Sequence, residues 1–294
     1  MKQILITGSD SYIGGYLEAY LNAQPDQQYR VKTVDVRGDG WRNASFSGYD
    51  AVIHVAGLAH VRETAKNREA FFRINRDLTA EIANRAKAEG VRQFIFFSSM
   101  SVYGMTRGII TGQTQPSGGS AYGESKLEAE RILEALRDQS FCVALIRPPM
   151  VYGPGCKGNF QTIRRLACKL PVFPSVKNRR SMIYIENLCE FLRLCVDLRL
   201  DGVYYPQNSE YMNTTDLARW IAAANGKKLR CSRLLGLCVR CLMPFSSTVQ
   251  KAFGTLIYQD LEVLGYQYCL KENEASVRMS SAIAGTAVRK GTHL

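Results

Sequence analysis

The chain has 294 residues, 46% hydrophobic and 22% charged, which is enough to bury a large core and too apolar for a disordered chain. No apolar run approaches the roughly 20 residues that cross a bilayer, so a transmembrane segment is excluded. The net charge of +12 comes from scattered residues and short doublets, Arg164-Arg165, Arg179-Arg180 and Lys227-Lys228, without a nucleic-acid motif, so a solvated basic surface or an anionic small substrate is favoured over nucleic acid.

The opening MKQILITG places one lysine before a short apolar run and lacks the long core of a signal peptide, so a cytoplasmic chain with reduced cysteines is expected. Residues 3–7 read as a strand, followed by a glycine loop and a helix over about 14–22 with Tyr16, Leu17, Tyr20 and Leu21 on one face. VKTVDV at 31–36 is a second strand and YDAVIHVAG at 49–57 a buried third. Residues 68–89 form a long helix closed by Gly90, and RQFIFFSS is a strand with two serines at its end. A helix over 122–138 then leads to the strand FCVALIRPP, where Pro148 and Pro149 stop regular structure.

This alternation predicts an α/β fold, a Rossmann-type doubly wound parallel sheet with ligands at the carboxyl ends of its strands. Only residues 36–50 separate the second and third strands, too few for a full crossover, so one βα unit is expected to be shortened or missing. Residues 1–150 form the dinucleotide-binding domain, and strand SMIYI, a helix over 186–198 and strand GVYYP (182–206) return to it. Residues 151–181 and 207–294 form a smaller, mostly helical substrate-binding region, with helices over 214–224 and 234–262 and a loose basic tail.

Eight of the nine cysteines, all but Cys269, have hydrophobic neighbours and read as core filler. Cys238 and Cys241 make one C-x-x-C with Cys231 upstream, but no second pair or histidine completes a four-ligand site, and no metal is expected. Two readings of the apolar, basic stretch Leu234–Phe253 compete, a helix of the substrate region and an amphipathic segment resting on a membrane or partner, and the first is favoured.

The loop ITGSDSYIG carries Gly8 and Gly14, with Ser11 where a dinucleotide loop has its middle glycine. Small residues let the backbone pass close to a pyrophosphate held by loop amides and a helix N-terminus, although serine costs more than glycine if its φ is positive. Asp35 ends the second strand, where a carboxylate accepts hydrogen bonds from an adenosine ribose, favouring NAD; Arg37 is the residue that would instead accept a 2′-phosphate. Ser99 ends a strand, and Tyr122 and Lys126 lie four apart on one helical face. A phenol of pKa about 10 is a poor base at neutral pH, but a cation within ~4–6 Å lowers a neighbouring acid by ~1–3 units, the part expected of Lys126 with an oxidised nicotinamide. Ser99 would bond the reacting oxygen while Tyr122 moves its proton.

The motifs ITGSDSYIG, DAVIHVAG, Asn75 in FFRINRDL, SSMSVYG, YGESK, RPPMVYGPG and RSMIYIENL resemble the extended short-chain dehydrogenase/reductases, in the NAD-dependent epimerase/dehydratase branch of the UDP-glucose 4-epimerases. The resemblance implies a catalytic set of Ser99, Tyr122 and Lys126. It also implies cofactor contacts from Gly8, Ser11, Tyr12, Ile13, Gly14, Asp35, Val36, Arg37, Ala56, Gly57 and Asn75 as well as Tyr122 and Lys126. Ser99, Ser101, Asn159 and Arg180 would hold the substrate, with Arg180 on the diphosphate of a sugar nucleotide. Met150 stands where these epimerases often carry an asparagine.

The implied reaction is nucleotide-sugar 4-epimerisation with NAD, through a transient 4-keto intermediate of a UDP-hexose-like substrate. NADP is disfavoured as the cofactor. The alternative is an NAD(P)H-dependent reductase of a 4-keto nucleotide sugar; a non-catalytic dinucleotide-binding sensor ranks behind both. A 4,6-dehydratase is disfavoured because Met100 and Ser101 stand where such relatives carry an acidic pair. The resemblance also implies a homodimer through the helices near 68–89 and 122–138, and a place in polysaccharide biosynthesis.

Overall fold

The computed structural model describes residues 1–8, 10–25 and 28–282. In chain order its elements are β1 (Lys2–Thr7), α1 (Tyr12–Asn22), β2 (Tyr29–Val34), β3 (Ala51–His54), α2 (Arg68–Phe72), α3 (Leu78–Ala88), β4 (Gln93–Phe97), β5 (Gly108–Ile110), α4 (Ala121–Leu136) and β6 (Cys142–Ile146). Then come β7 (Met150–Tyr152), α5 (Asn159–Lys169), β8 (Val172–Pro174), β9 (Met182–Tyr184), α6 (Ile185–Asp197) and β10 (Gly202–Tyr204). The last are α7 (Thr214–Ala224), β11 (Arg230–Ser232), α8 (Arg233–Leu242), α9 (Ser247–Phe253), β12 (Leu256–Tyr258) and α10 (Asn273–Ala282).

Six strands form one parallel sheet in the order β10-β6-β4-β3-β1-β2. Its strands are apolar at nearly every position because both faces are covered. Ile4, Ile6, Ile53, Ile95 and Ile146 point to the side of α1 and α6, and Leu5, Val52, Phe94, Phe96 and Leu145 to the side of α3 and α4. This is the α/β, doubly wound arrangement that the alternation implies. The chain leaves β1 for β2 on one side and returns to β3 on the other, so a crevice opens between the carboxyl ends of β1 and β3.

The link from β2 to β3 contains only a 3₁₀ turn, Gly40–Asn43. Trp41 and Phe46, both buried, pack there against the layer of Ile82 and Ala86, so two aromatic side chains cover what a crossover helix would. β2 is therefore the edge strand. Met182–Tyr184 pairs with Met150–Tyr152 outside the main sheet, while β10 joins the sheet beside β6.

The single helix expected over 234–262 is instead α8, a 3₁₀ turn (Met243–Phe245), α9 and strand β12. Pro244 lacks the amide that a continuing helix needs. Gly254 then passes close to the Gln250 carbonyl, where a Cβ would sit 2.5 Å from the oxygen. The cysteines are also not uniformly core: Cys156, Cys189 and Cys195 are buried, but Cys238 and Cys241 are exposed, because α8 turns them outward.

Candidate active site

The glycine loop lies at the crevice. Gly8 follows β1 with φ of 96°, and a Cβ there would press on Ala56 at 3.0–3.3 Å, so the loop passes against the end of β3. At Gly14 a Cβ would sit 2.6 Å from the Gly8 carbonyl oxygen and 2.7 Å from Ser11 Oγ. Ser11 itself has φ of −77° and needs no glycine. It is the N-cap of α1, its Oγ accepting from the Gly14 amide at 2.9 Å. The first-turn amides that follow, Tyr12 and Ile13 among them, have no partner within the helix, and with the helix dipole they favour an anion.

Asp35 comes directly after β2, and Val36 is buried beside it. The Arg37 guanidinium donates to both Asp35 carboxylate oxygens at 2.7–3.0 Å and also to Asp10 in the glycine loop. These bonds hold the Asp35 carboxyl down at about 2. Across the crevice, Asn75 is fully buried in a π-helical turn (Arg73–Asp77) between α2 and α3. Its Oδ1 accepts from the Leu58 amide at 2.8 Å and its Nδ2 donates to Leu58 O and Ser125 Oγ, each at 3.1 Å. A Cβ on Gly57 would come within 3.0 Å of Asn75 Oδ1 and 3.1 Å of Lys126 Nζ. Gly57, Asn75 and Lys126 thus form one wall, cleared of side-chain bulk where a flat ligand would lie. These features fit a dinucleotide.

Ser99 leaves β4 as the cap of a 3₁₀ turn (Met100–Val102), its Oγ accepting from the Ser101 amide at 3.1 Å. Tyr122 and Lys126 occupy the first turns of α4, which Ser120 caps. Burial pushes the Tyr122 phenol above its ordinary value, and a hydrogen bond with Ser99 pulls it part of the way back. Lys126 is 3% exposed; its Nζ donates to Phe97 O at 2.8 Å and lies 4.5 Å over the Phe96 ring. Burial lowers this amine to about 7, against the upward pull of Glu130. Ser99 is the group that opposes the upward shift of Tyr122, while the Lys126 Nζ is directed at the Phe97 carbonyl.

Beneath this cluster lie polar groups the sequence reading passed over. Ser98 Oγ donates to Glu130, which pairs with Arg147, and Arg147 Nη1 donates to the Tyr103 hydroxyl at 2.9 Å. His54 is fully buried between two threonines, with Nδ1 2.6 Å from Thr7 Oγ1 and Nε2 3.0 Å from Thr79 Oγ1. Thr79 in turn donates to the Asn75 carbonyl. Burial drops His54 to about 3, so it is a neutral brace at neutral pH. A signal for Glu130 was present: positions 122, 126 and 130 share one helical face, and a carboxylate on the face that carries Tyr122 and buries Lys126 needs a cation.

Arg180 lies between Met212 and Leu256 at isolated bridges and is 8% exposed. Its Nη1 donates to Gly254 O at 2.9 Å, its Nε has no partner, and burial lowers it to about 10. No salt bridge to a carboxylate satisfies it among the described residues. Ser101 is half-buried beside Ser99, Met150 opens β7, and Asn159 heads α5, exposed. No cluster of three or more His, Cys, Asp or Glu groups able to hold a metal ion occurs among the described residues, and no helix there is long and apolar enough to cross a membrane.

A glycine loop at the switch point of a parallel sheet, beside a serine, a tyrosine and a buried lysine, is the arrangement of a dinucleotide-dependent enzyme. Residues 4–202 match the family model of the NAD dependent epimerase/dehydratase family, and the chain belongs to that family, with NAD as its cofactor. It is similar to the UDP-glucose 4-epimerase of Vibrio cholerae, 30% identical over 90% of each chain. In fold it is similar to the UDP-glucuronic acid 4-epimerase from Bacillus cereus in complex with NAD (TM-score 0.72, 18% identity, 95% of each chain). It also resembles MoeE5 in complex with UDP-glucose and NAD (TM-score 0.69, 19% identity, 95% of this chain and 97% of the other).

Proposed function

We propose that the protein is a nucleotide-sugar 4-epimerase acting on a UDP-hexose-like substrate through a transient 4-keto sugar. The observation that carries the reading is the placing of Ser99, Tyr122 and Lys126 together at the carboxyl end of β4 and the start of α4. Similarity to a UDP-glucose 4-epimerase over nine tenths of the chain supports it. NAD, when bound, supplies reversible hydride transfer. The loop amides of Tyr12 and Ile13, with Gly8, Ser11 and Gly14, hold its pyrophosphate, while Asp35, Val36 and Arg37 line the adenosine end. Ala56, Gly57, Asn75 and Lys126 bound the other end.

Ser99 holds the sugar C4 oxygen and Tyr122 takes its proton, then gives it back after the keto sugar has turned. Lys126 lowers the cost of the phenolate by its charge once its ammonium faces the phenol. Arg180 is a buried cation without a carboxylate partner among the described residues, an arrangement that is costly unless an anion covers it; a sugar-nucleotide diphosphate is such an anion. Ser101 and Asn159 complete the substrate side, formed by 151–181 and the chain from 207 onward. The protein pairs as a homodimer through the helices of 68–89 and 122–138, which a monomeric mass in solution would disprove.

The test is to release and identify the dinucleotide of the purified protein and to incubate the protein with UDP-glucose and UDP-N-acetylglucosamine. Tightly held NAD and formation of the 4-epimer, lost in Tyr122→Phe by about 10²–10⁴-fold with NAD retained, are the expected results. Cofactor that exchanges freely, with reduction of a 4-keto sugar nucleotide and no epimer formed, would replace the epimerase with a reductase.

A further inference from the structure

Helix α8 is turned inside out. Leu234, Leu237, Cys238 and Cys241 repeat at the spacing of a single helical face, and all four are exposed. Leu234 is 71% and Leu237 55% exposed, and Leu242 at 55% and Phe245 at 88% extend the patch into the following 3₁₀ turn. The helix meets the body on its other side, at Gly236, where any Cβ would collide with the Ser175 carbonyl. A surface helix ordinarily buries its apolar stripe. Single exposed leucines need no explanation, but a contiguous set of large ones marks a contact surface.

The charge around this helix is one-sided. Residues 139–185 and 217–259 contain no Asp or Glu and hold fifteen of the 38 basic residues; the rest of the chain has 23 basic against 26 acidic. The two acid-free stretches meet here, since β8 pairs with β11 and α8 follows β11 directly. Some of their cations have structural partners: Lys227 donates to the Cys168 and Leu170 carbonyls and Arg219 pairs with Asp216. Lys228, Arg230, Arg233, Arg240 and Lys251 are exposed, and none is in a salt bridge among the described residues.

We propose that α8 and the turn after it seat the protein on an anionic phospholipid surface. The leucines and Phe245 enter the headgroup boundary while the flanking arginines and lysines meet lipid phosphates, the pairing of forces that holds a helix in the membrane plane. A second copy of the chain is a poorer occupant. A two-fold contact through α8 would bring two copies of the same basic stretch together, with no Asp or Glu in residues 217–259 to offset their charge. This reverses the weighting drawn from sequence, where the stretch Leu234–Phe253 was favoured as a helix of the substrate region over a segment resting on a membrane or partner. Membrane seating is separate from the catalytic reading and stands or falls alone.

The full-length protein is to be sedimented with vesicles of phosphatidylcholine containing about one third phosphatidylglycerol, and with vesicles of phosphatidylcholine alone. Binding to the anionic vesicles, at least about tenfold above the neutral ones, is expected. Leu234→Gln/Leu237→Gln/Phe245→Gln should remove it at an unchanged melting temperature. Arg233→Gln/Arg240→Gln should weaken it by about fivefold per residue. A wild-type protein that stays in the supernatant overturns the proposal, as does binding that the triple substitution leaves intact. So does a dimer in sedimentation that the triple substitution splits.

Discussion

Glu130 lies one helical turn beyond Lys126 on α4 and receives Arg147 through two bonds, Nε to Oε1 at 3.0 Å and Nη2 to Oε2 at 2.6 Å, with both side chains almost fully buried. Ser98 donates to the same carboxylate, and Arg147 reaches the Tyr103 hydroxyl. The pair therefore ties α4 to the ends of β4 and β6, the strands that carry Ser99 and the chain toward Pro148. Removing one partner leaves an uncompensated buried charge, whereas removing both leaves a cavity of modest polarity. Glu130→Gln should cost about 3–5 kcal/mol in urea unfolding, and Glu130→Leu/Arg147→Met clearly less than the sum of its singles. Additive losses would mean the two side chains do not act as a pair.

Lys126 contributes a linkage between pH and stability above neutral pH. Its amine titrates at about 7 when folded against 10.5 ordinarily, because burial disfavours the charged form. Between these values the unfolded chain binds more protons than the folded one, so this group makes stability rise with pH across roughly 7 to 10.5. Its penalty is full below pH 7 and absent above pH 10.5. Lys126→Met removes the penalty. Urea unfolding of both proteins at about pH 6, 8 and 9.5 should show the variant's relative stability highest at about pH 6 and falling as pH rises. A pH-independent difference would show that the amine titrates near its ordinary value in the fold.

How legible this was depends on distance along the chain. The strands of the parallel sheet, the helices facing them and the missing crossover over 36–50 follow from local periodicity and segment length, and all are present. Tyr122 and Lys126 were readable because one helix face holds both, and Ser99 because it ends a strand. The links that join elements were not. Glu130–Arg147 and Thr7–His54–Thr79 span 17 to 47 positions, and no periodicity reports which buried polar groups meet. The outward turn of α8 was hidden for a different reason: hydrophobic spacing identifies a helix face but not whether the fold covers it. Asp35 was legible as a strand-end carboxylate, but its capture by Arg37 was not.

That capture bears on cofactor choice. Arg37 is bound by Asp35 and by Asp10, so the cation that a 2′-phosphate would call on is held by two carboxylates. A phosphate there would meet Asp35 as well, a like charge that repels it. Asp35→Asn weakens the hold on Arg37 and removes the repulsion. The ratio of NADP to NAD affinity, measured by titrating the dinucleotide-free protein, should rise by about tenfold or more, the scale of one charge-assisted hydrogen bond. Arg37→Ala in the same background should cancel the gain. If the gain survives without Arg37, the arginine is not the 2′-phosphate contact.

Ser11 departs from the glycine spacing of the loop, and its geometry predicts how the loop responds to change. Its φ is that of an ordinary residue and its hydroxyl caps α1. Ser11→Gly should therefore cost only a few tenths of a kcal/mol and leave NAD binding intact, whereas Ser11→Ala loses the cap and about 0.5–2 kcal/mol of stability. Gly14 is the position without tolerance: a Cβ there would stand 2.6 Å from the Gly8 carbonyl, inside any ordinary contact and against backbone rather than a side chain that can swing away. Gly14→Ala should displace the loop and abolish retained NAD. Denaturing each variant and measuring the dinucleotide released checks all three. Retention of NAD by Gly14→Ala would mean that the loop moves freely enough to bind without its tight turn. Loss in Ser11→Gly would instead show that the serine hydroxyl, rather than the backbone, holds the pyrophosphate.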